Sequence, residues 1–334
     1  MHSLALLALA PAIALAAPAV VSRASSSTIT VLDAAQLQEF TPFAFFAAAA
    51  YCDTRLTTNW SCGPNCEGVA DFIPTATGGD GSLVQFWFVG YYPQLNSVVV
   101  GHQGTKPANI LPLLTDANFI LEKPDEDTFP GLAAAGVMMH NGFHDQHQLT
   151  YGDILPAVQQ TMADYNTTSV ILAGHSLGAA LSVLDGIALK IAMPDASFRI
   201  ATFGQPRLGN KAFADYVDAH FPGTIRMTNK RDLVPTIPGR FLGYAHFSGE
   251  VHIKSDDSIV LCHGQDNTGC IIKDVPSIFS GDVTLHKGPY LGVIMKCPAN
   301  DNIPAVVAPP TRNTGTGSGS GDIVGDILDV IGNL

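Results

Sequence analysis

Charge is scarce in this chain. Only 14% of its 334 residues are Asp, Glu, Lys or Arg, and 29 acidic against 17 basic side chains leave a formal net charge of -12. No Lys/Arg cluster exists to neutralise phosphates, which excludes nucleic acid as a partner. The same deficit excludes charge-driven binding to anionic lipid headgroups. A membrane-spanning run is also missing. The N-terminal apolar run from Leu4 to Leu15 is interrupted by Pro11 and is shorter than the roughly 20 residues a spanning helix requires. The mature chain is therefore expected to carry no integral membrane segment. Cysteine and histidine nowhere show metal-ligand spacing, so the sequence calls for no metal and no cofactor. There is no internal repeat.

What is present is apolar residue: 46% of the chain is hydrophobic, enough to bury the core of one large α/β domain. Residues 1–16 read as a secretory signal, because the run beginning at Leu4 ends in Ala14-Leu15-Ala16, an A-x-A cleavage pattern. Residues 17–27 follow as a short pro-segment, and the product is expected to be exported to the extracellular space. All six cysteines lie after the signal, and an even number in that compartment favours disulfides. Cys62 and Cys66 can close a small loop, Cys262 and Cys270 bracket a hairpin tip, and Cys52 with Cys297 remain; fifteen pairings are open in principle. Asn59-Trp-Ser61 and Asn166-Thr-Thr168 are glycosylation sequons.

Taken in order, Ala34 to Cys52 reads as helix that Pro42 bends or starts. Leu83 to Tyr92, the turn Pro93 to Asn96, and Ser97 to Val100 read as a hairpin feeding a buried strand. A polar, Gly-rich exit follows at Gly101-His102-Gln103-Gly104-Thr105, and Gly136 to Phe143 is another apolar run ending in a turn. Ile154, Leu155, Val158, Met162 and Tyr165 recur at helical spacing. Phe198 to Phe203 and Thr224 to Met227 are strands on either side of a helix at Lys211 to His220. Strands alternating with helices predict a mainly parallel sheet covered on both faces. The expected domain runs over 28–304, followed by a Pro- and Gly/Ser-rich linker at 305–321 and a short amphipathic tail at 322–334.

The chemistry centres on Ser169 to Lys190. A β-branched run, Val170-Ile171-Leu172, passes through Gly174-His175-Ser176-Leu177-Gly178 into a helix-favouring segment. Strand, tight turn and helix with the serine at the apex is the arrangement of a nucleophile elbow. A serine hydroxyl needs a base to take its proton, and the base needs a carboxylate to orient it. Asp215, Asp218 and Asp232 are the acid candidates; Asp232 follows a strand and precedes a Pro-closed turn. His246, His252, His263 and His286 are the base candidates. Thr105, Ser176 and Asp232 all fall just beyond strand ends, where α/β sheets hold their ligands.

The chain resembles the fungal class 3 lipases, a family of secreted triacylglycerol lipases with feruloyl esterase relatives. The resemblance runs from about Ala48 to Cys297 and rests on Ala50-Tyr51-Cys52, Gly104-Thr105, His140-Asn141-Gly142-Phe143, Gly174 to Gly178 with Ala-Ala-Leu after it, Phe203 to Asn210, Asp232-x-Val-Pro, and a late His with Tyr four positions on. It implies an α/β-hydrolase fold, a triad of Ser176, Asp232 and His286, and oxyanion donors at Leu177 and Thr105. It also implies the pairs Cys52–Cys297 and Cys62–Cys66, whereas Cys262 and Cys270 depart from the family's usual third pair. Gln103 stands where the family commonly has Arg, and His102 where it often has an aromatic residue. Lys106 to Thr115 falls where these lipases carry a lid. Ile110, Leu111, Leu113 and Leu114 suit one that seeks an oil surface, while Pro107 and Pro112 restrict it; a plain surface loop is the alternative.

By this resemblance the expected protein is a secreted serine ester hydrolase, a triacylglycerol lipase working through an acyl-serine intermediate, a monomer acting without cofactor or metal on an ester substrate at a lipid–water interface. A feruloyl or short-chain esterase and a non-catalytic binding protein on the same fold are the alternatives.

Overall fold

Residues 27–106 and 119–298 are described by a computed structural model. Its strands are β1 (Ile29–Val31), β2 (Ile73–Gly78), β3 (Trp87–Tyr92), β4 (Ser97–His102), β5 (Leu121–Glu122), β6 (Met139–His140), β7 (Ser169–His175), β8 (Ser197–Phe203), β9 (Gly209–Asn210), β10 (Ile225–Asn229), β11 (Tyr244–Ala245), β12 (Glu250–Ile253) and β13 (Ile259–Cys262). The helices are α1 (Ala34–Gln38), α2 (Thr41–Ala49), α3 (Thr54–Thr57), α4 (Pro64–Glu67), α5 (Asn141–Tyr165), α6 (Leu177–Ala192), α7 (Lys211–His220) and α8 (Ile271–Asp274).

The main sheet has the order β1-β13-β12-β10-β8-β7-β4-β3-β2. Its five central strands are parallel, β4 to β7 to β8 to β10 to β12, and both edges are antiparallel. This is an α/β-hydrolase architecture. Alternation along the central strands divides the core in two. Val99, Ile171 and Ala173 pack with α2 on one face. Val98, Val100, Val170 and Leu172 pack with α5, α6 and α7 on the other. Strands buried on both faces read as continuous apolar runs, which is why β7 is legible as Val170-Ile171-Leu172. Helix α2 is apolar nearly all round because strands, α1 and α4 surround it.

Several expectations need correction. The helix expected over Ala34 to Cys52 is two, divided at Glu39 and Phe40, with Pro42 in the first turn of α2, where its missing N–H costs nothing. The strand expected from Leu83 begins only at Trp87, because the Asp80 carboxylate accepts from the Ser82 and Val84 amides and holds that stretch in a turn. After Met139–His140 the chain enters α5 at Asn141. The His140 ring caps it by accepting from the Phe143 amide, and the helix continues through Pro156. Burial of Phe143, Ile154 and Val158 on one face outweighs the proline. The segment between Cys262 and Cys270 is not a hairpin tip. Cys262 ends β13, which pairs with β12 and β1, and Cys270 opens α8.

Three disulfides form: Cys52–Cys297, Cys62–Cys66 and Cys262–Cys270. No helix of the described residues is long and apolar enough to cross a membrane. The expected signal, most of the pro-segment, all but Lys106 of the lid candidate, the linker and the tail lie outside the described residues.

Candidate active site

Strand β7 delivers the chain to Ser176, whose φ of 60° and ψ of -127° lie far from the helical values of α6, which begins at the next residue. A non-glycine residue at positive φ costs of order 1–3 kcal/mol and persists only where its surroundings impose it. Two close approaches impose it here. A Cβ on Gly174 would sit 2.2 Å from the Gly178 carbonyl oxygen, and one on Gly178 would sit 2.2 Å from the carbonyl oxygen of His102. Strand, helix and the neighbouring strand end therefore meet without side chains between them, and Ser176 takes the apex.

Asp232 lies three residues beyond the end of β10 and is fully buried. Its Oδ1 accepts from the Val234 amide at 3.0 Å, and its Oδ2 accepts from His286 Nδ1 at 2.8 Å and from the Tyr290 hydroxyl at 3.4 Å. His286 sits in a short 3-10 turn, Val283–Lys287, anchored by the Asn229 amide on the Leu285 carbonyl. With Nδ1 engaged by the carboxylate, Nε2 is the ring atom left to take a proton. It is buried and has no hydrogen-bond partner, so the bond to a serine hydroxyl is not closed in this geometry. Such bonds often tighten only when substrate is bound. Leu177 is the first residue of α6, so its N–H has no acceptor within the helix. Thr105 follows β4, and its neighbour Gly104 packs against Ser176 Cβ.

A second set of hydrogen bonds ties these parts together. The Gly104 amide donates to the Tyr51 hydroxyl oxygen, the Tyr51 hydroxyl lies 2.6 Å from His175 Nδ1, and His175 Nε2 lies 2.8 Å from the His286 carbonyl oxygen. Burial drives the His175 pKa well below the usual imidazole range, and the nearby His286 adds to it. Burial raises Tyr51. The ring is therefore neutral, accepting at Nδ1 from a protonated Tyr51 and donating from Nε2.

The other sequence candidates stand elsewhere. His246 Nε2 faces the Pro235 carbonyl, His252 lies between Thr228 and Asp274, and His263 bonds Thr30. Asp215 pairs with Lys211, and Asp218 accepts from Ser248 and Gln265. Gln103 pairs with Phe86 through both its backbone amide and its side chain, extending the edge of β4 by one residue. Sequence reasoning missed the Tyr51 relay, although Tyr51 stood in a motif already noted. A cleft of about 520 Å³ lined by Phe40, Arg199 and Thr224 opens at the amino-terminal end of the parallel strands, away from Ser176. Among the described residues, one group brings metal-type ligand atoms together, Glu250 with Cys262 and Cys270. Its sulfurs are consumed in a disulfide.

A buried carboxylate orienting an imidazole beside a strained serine is equipment for nucleophilic attack on an acyl carbon. Known proteins share the fold and a good part of the sequence. The family described as lipase (class 3) matches residues 99–242. A secreted mono- and diacylglycerol lipase of Malassezia globosa is 31% identical over 283 residues, 82% of this chain and 89% of that protein. The crystal structure of a lipase from Rhizopus microsporus var. chinensis superposes with a TM-score of 0.71 at 29% identity, covering 83% of this chain and 94% of that one. Lipase II from Rhizopus niveus gives 0.70 at 28% identity, over 81% and 99%. With its elbow inside the matched region and a relative aligned along most of both lengths, the chain belongs to the class 3 lipase family.

Proposed function

We propose that Ser176, Asp232 and His286 are a catalytic triad with Leu177 and Thr105 as oxyanion donors, and that the protein hydrolyses acylglycerols as an exported lipase. The observation that carries the reading is the 2.8 Å bond from His286 Nδ1 to Asp232 Oδ2 at the elbow bearing Ser176. Kinship to proteins named secreted mono- and diacylglycerol lipases supports the substrate class and the compartment. It does not favour the feruloyl or short-chain esterase alternative. Exposure of Asn59 and Asn166 suits glycan attachment in an export pathway.

His286 Nε2 takes the Ser176 proton as Oγ attacks the ester carbonyl. The carbonyl oxygen becomes an oxyanion held by the Leu177 amide and by the amide and hydroxyl of Thr105. The imidazolium returns its proton to the leaving alkoxide as the C–O bond breaks, leaving acyl-Ser176 and a free alcohol. Water then attacks the acyl-enzyme, giving up its proton to Nε2, and collapse releases the fatty acid and re-forms the serine.

The test is hydrolysis of p-nitrophenyl esters from acetate to palmitate, below and above micelle formation, with Ser176→Ala alongside. Higher rates on long chains once an interface appears, abolished in the variant, are expected. Short-chain preference without an interfacial rise would replace the lipase reading with an esterase one.

A further inference from the structure

Beneath the oxyanion loop lies a cluster the mechanism above does not use. Asp185, on α6 nine residues after Ser176, is fully buried. Its Oδ2 is 2.5 Å from His102 Nε2 at the end of β4. Its Oδ1 is 3.0 Å from His147 Nε2 on α5, off the line of a good hydrogen bond. Both histidines are fully buried, and the Nδ1 atoms of both have no hydrogen-bond partner, so Asp185 is the anchor each ring has. Burial pushes the Asp185 carboxyl up, but the two imidazoles, His102 foremost, overcome this and bring it down to about 2.

The placement matters because of what each arm carries. Asp185 and Leu177 share one helix, and His102 and Thr105 lie on one strand end and its exit loop. The spacing between those two elements is therefore the spacing between the two proposed oxyanion donors. On one side it is set by contact, since the Gly178 backbone abuts the His102 carbonyl. The Asp185–His102 bond clamps the same pair of elements two turns further along α6. Asp185 is fully buried on a helix that packs mainly into the apolar core, where a carboxylate would be costly without that pairing.

We propose that Asp185 is a positioning residue which, through His102, fixes the end of β4 against α6 and so holds Thr105 and Leu177 at the separation the oxyanion needs. This rests on the function proposed above. Oxyanion donors act over a few tenths of an ångström, and loss of one typically costs a hundred- to a thousandfold in rate. A loosened pair should cost about tenfold or more in kcat.

The experiment compares Asp185→Leu, which removes the clamp, with Asp185→Asn, which keeps an acceptor for the His102 N–H. Full-length enzyme is assayed on a soluble ester, and the Ki of a trifluoromethyl ketone that forms a tetrahedral oxyanion adduct is measured. For Leu, kcat should fall about tenfold or more with KM within twofold, and Ki should rise by the factor that kcat/KM falls; Asn should restore most of both. Partial misfolding would lower the active fraction and leave Ki unchanged, which would overturn the proposal. So would wild-type kcat in the Leu variant, or an Asn variant as impaired as Leu. Asp185→Ser, too short to reach His102, carries the same expectation should Leu fail to fold. Ser176→Ala is run in parallel. Activity surviving there would overturn the site reading and this proposal with it, whereas an inactive Ser176→Ala beside an indifferent Asp185 overturns this proposal alone.

Discussion

His175 Nε2 donates to the backbone carbonyl oxygen of His286 across 2.8 Å. The residue before the proposed nucleophile thereby holds the main chain of the proposed base, and its other nitrogen is held by Tyr51. Because the Tyr51 oxygen also receives the Gly104 amide, one hydroxyl connects the oxyanion loop to the loop bearing the base.

Tyr51→Phe removes that connection without changing ring packing. It leaves His175 Nδ1 and the Gly104 N–H buried without partners, at about 1–3 kcal/mol in stability. The expected result is a kcat reduced about tenfold with KM little changed, together with a lower urea midpoint. Unaltered kcat in a destabilised variant would reduce the relay to a packing role.

Acid should weaken the fold before it protonates most carboxylates. Burial lowers His140 from the usual range to about 4, and drives His175 and His246 well below it. Each imidazole binds its proton more weakly folded than unfolded, so its contribution is present above about pH 6.5 and is lost as pH falls toward the folded pKa. His140 alone accounts for about 3 kcal/mol at most, and protonation also removes the lone pair that caps α5. His144 runs the other way. Burial lowers it, but Asp125 and Glu122 raise it further, so its contribution is lost as pH rises. The melting temperature is expected to fall between pH 6.5 and 4.5, and His140→Asn, a cap that does not titrate, should make that fall shallower. Equal slopes in the two proteins would rule His140 out as a contributor.

Much of the site was legible because its residues stand at strand ends marked by abrupt changes in sequence. Val170-Ile171-Leu172 breaking into Gly174-His175-Ser176 announced the elbow, and Asp232 before a Pro-closed turn announced a second strand end. His286 was different. Four histidines were open from the residues alone, and the resemblance to a family, not any local signal, singled it out. Its assignment depends on Asp232, 54 residues away in sequence, and a pairing at that distance has no periodicity to reveal it. The β3–β4 hairpin was readable from its two strands and turn, whereas the antiparallel edge at β1 and β13 was hidden for a related reason. Strand β1 is three exposed residues whose pairing with β13 is decided by tertiary contact. No local pattern marks Asp185, because its partner His102 lies 83 residues away in sequence.

The largest and the smallest of the three loops closed by disulfides should separate in stability. Cys52–Cys297 spans 245 residues and Cys62–Cys66 spans 4. Loop-closure entropy scales with the logarithm of length, giving about 5 kcal/mol for the first and about 2 kcal/mol for the second. Paired Cys→Ala replacements, unfolded in urea, should lose stability in that order. A larger loss on opening the small loop would show that local packing around Cys62 and Cys66, both buried in the core, outweighs chain entropy.

Two glycines of one helix give the sharpest contrast. At Gly178 an added Cβ would lie 2.2 Å from the His102 carbonyl oxygen and 2.7 Å from the Gln103 carbonyl carbon, both backbone atoms that cannot swing aside. Gly178→Ala must therefore push the first turn of α6 away from β4, carrying the Leu177 amide with it. Overpacking of this kind costs about 1–3 kcal/mol, and displacing an oxyanion donor should lower kcat about a hundredfold. At Gly186, two turns along, the Cβ would meet the end of the Ile200 side chain at 2.8 Å. That methyl can rotate, and Ala gains roughly 1 kcal/mol over Gly within a helix. Gly186→Ala is expected to keep full activity and near-normal stability. The same one-carbon addition would then cripple or spare catalysis according to whether it meets backbone or a mobile side chain, and a Gly178→Ala enzyme with wild-type kcat would show that the elbow tolerates a wider gap between β4 and α6 than this geometry implies.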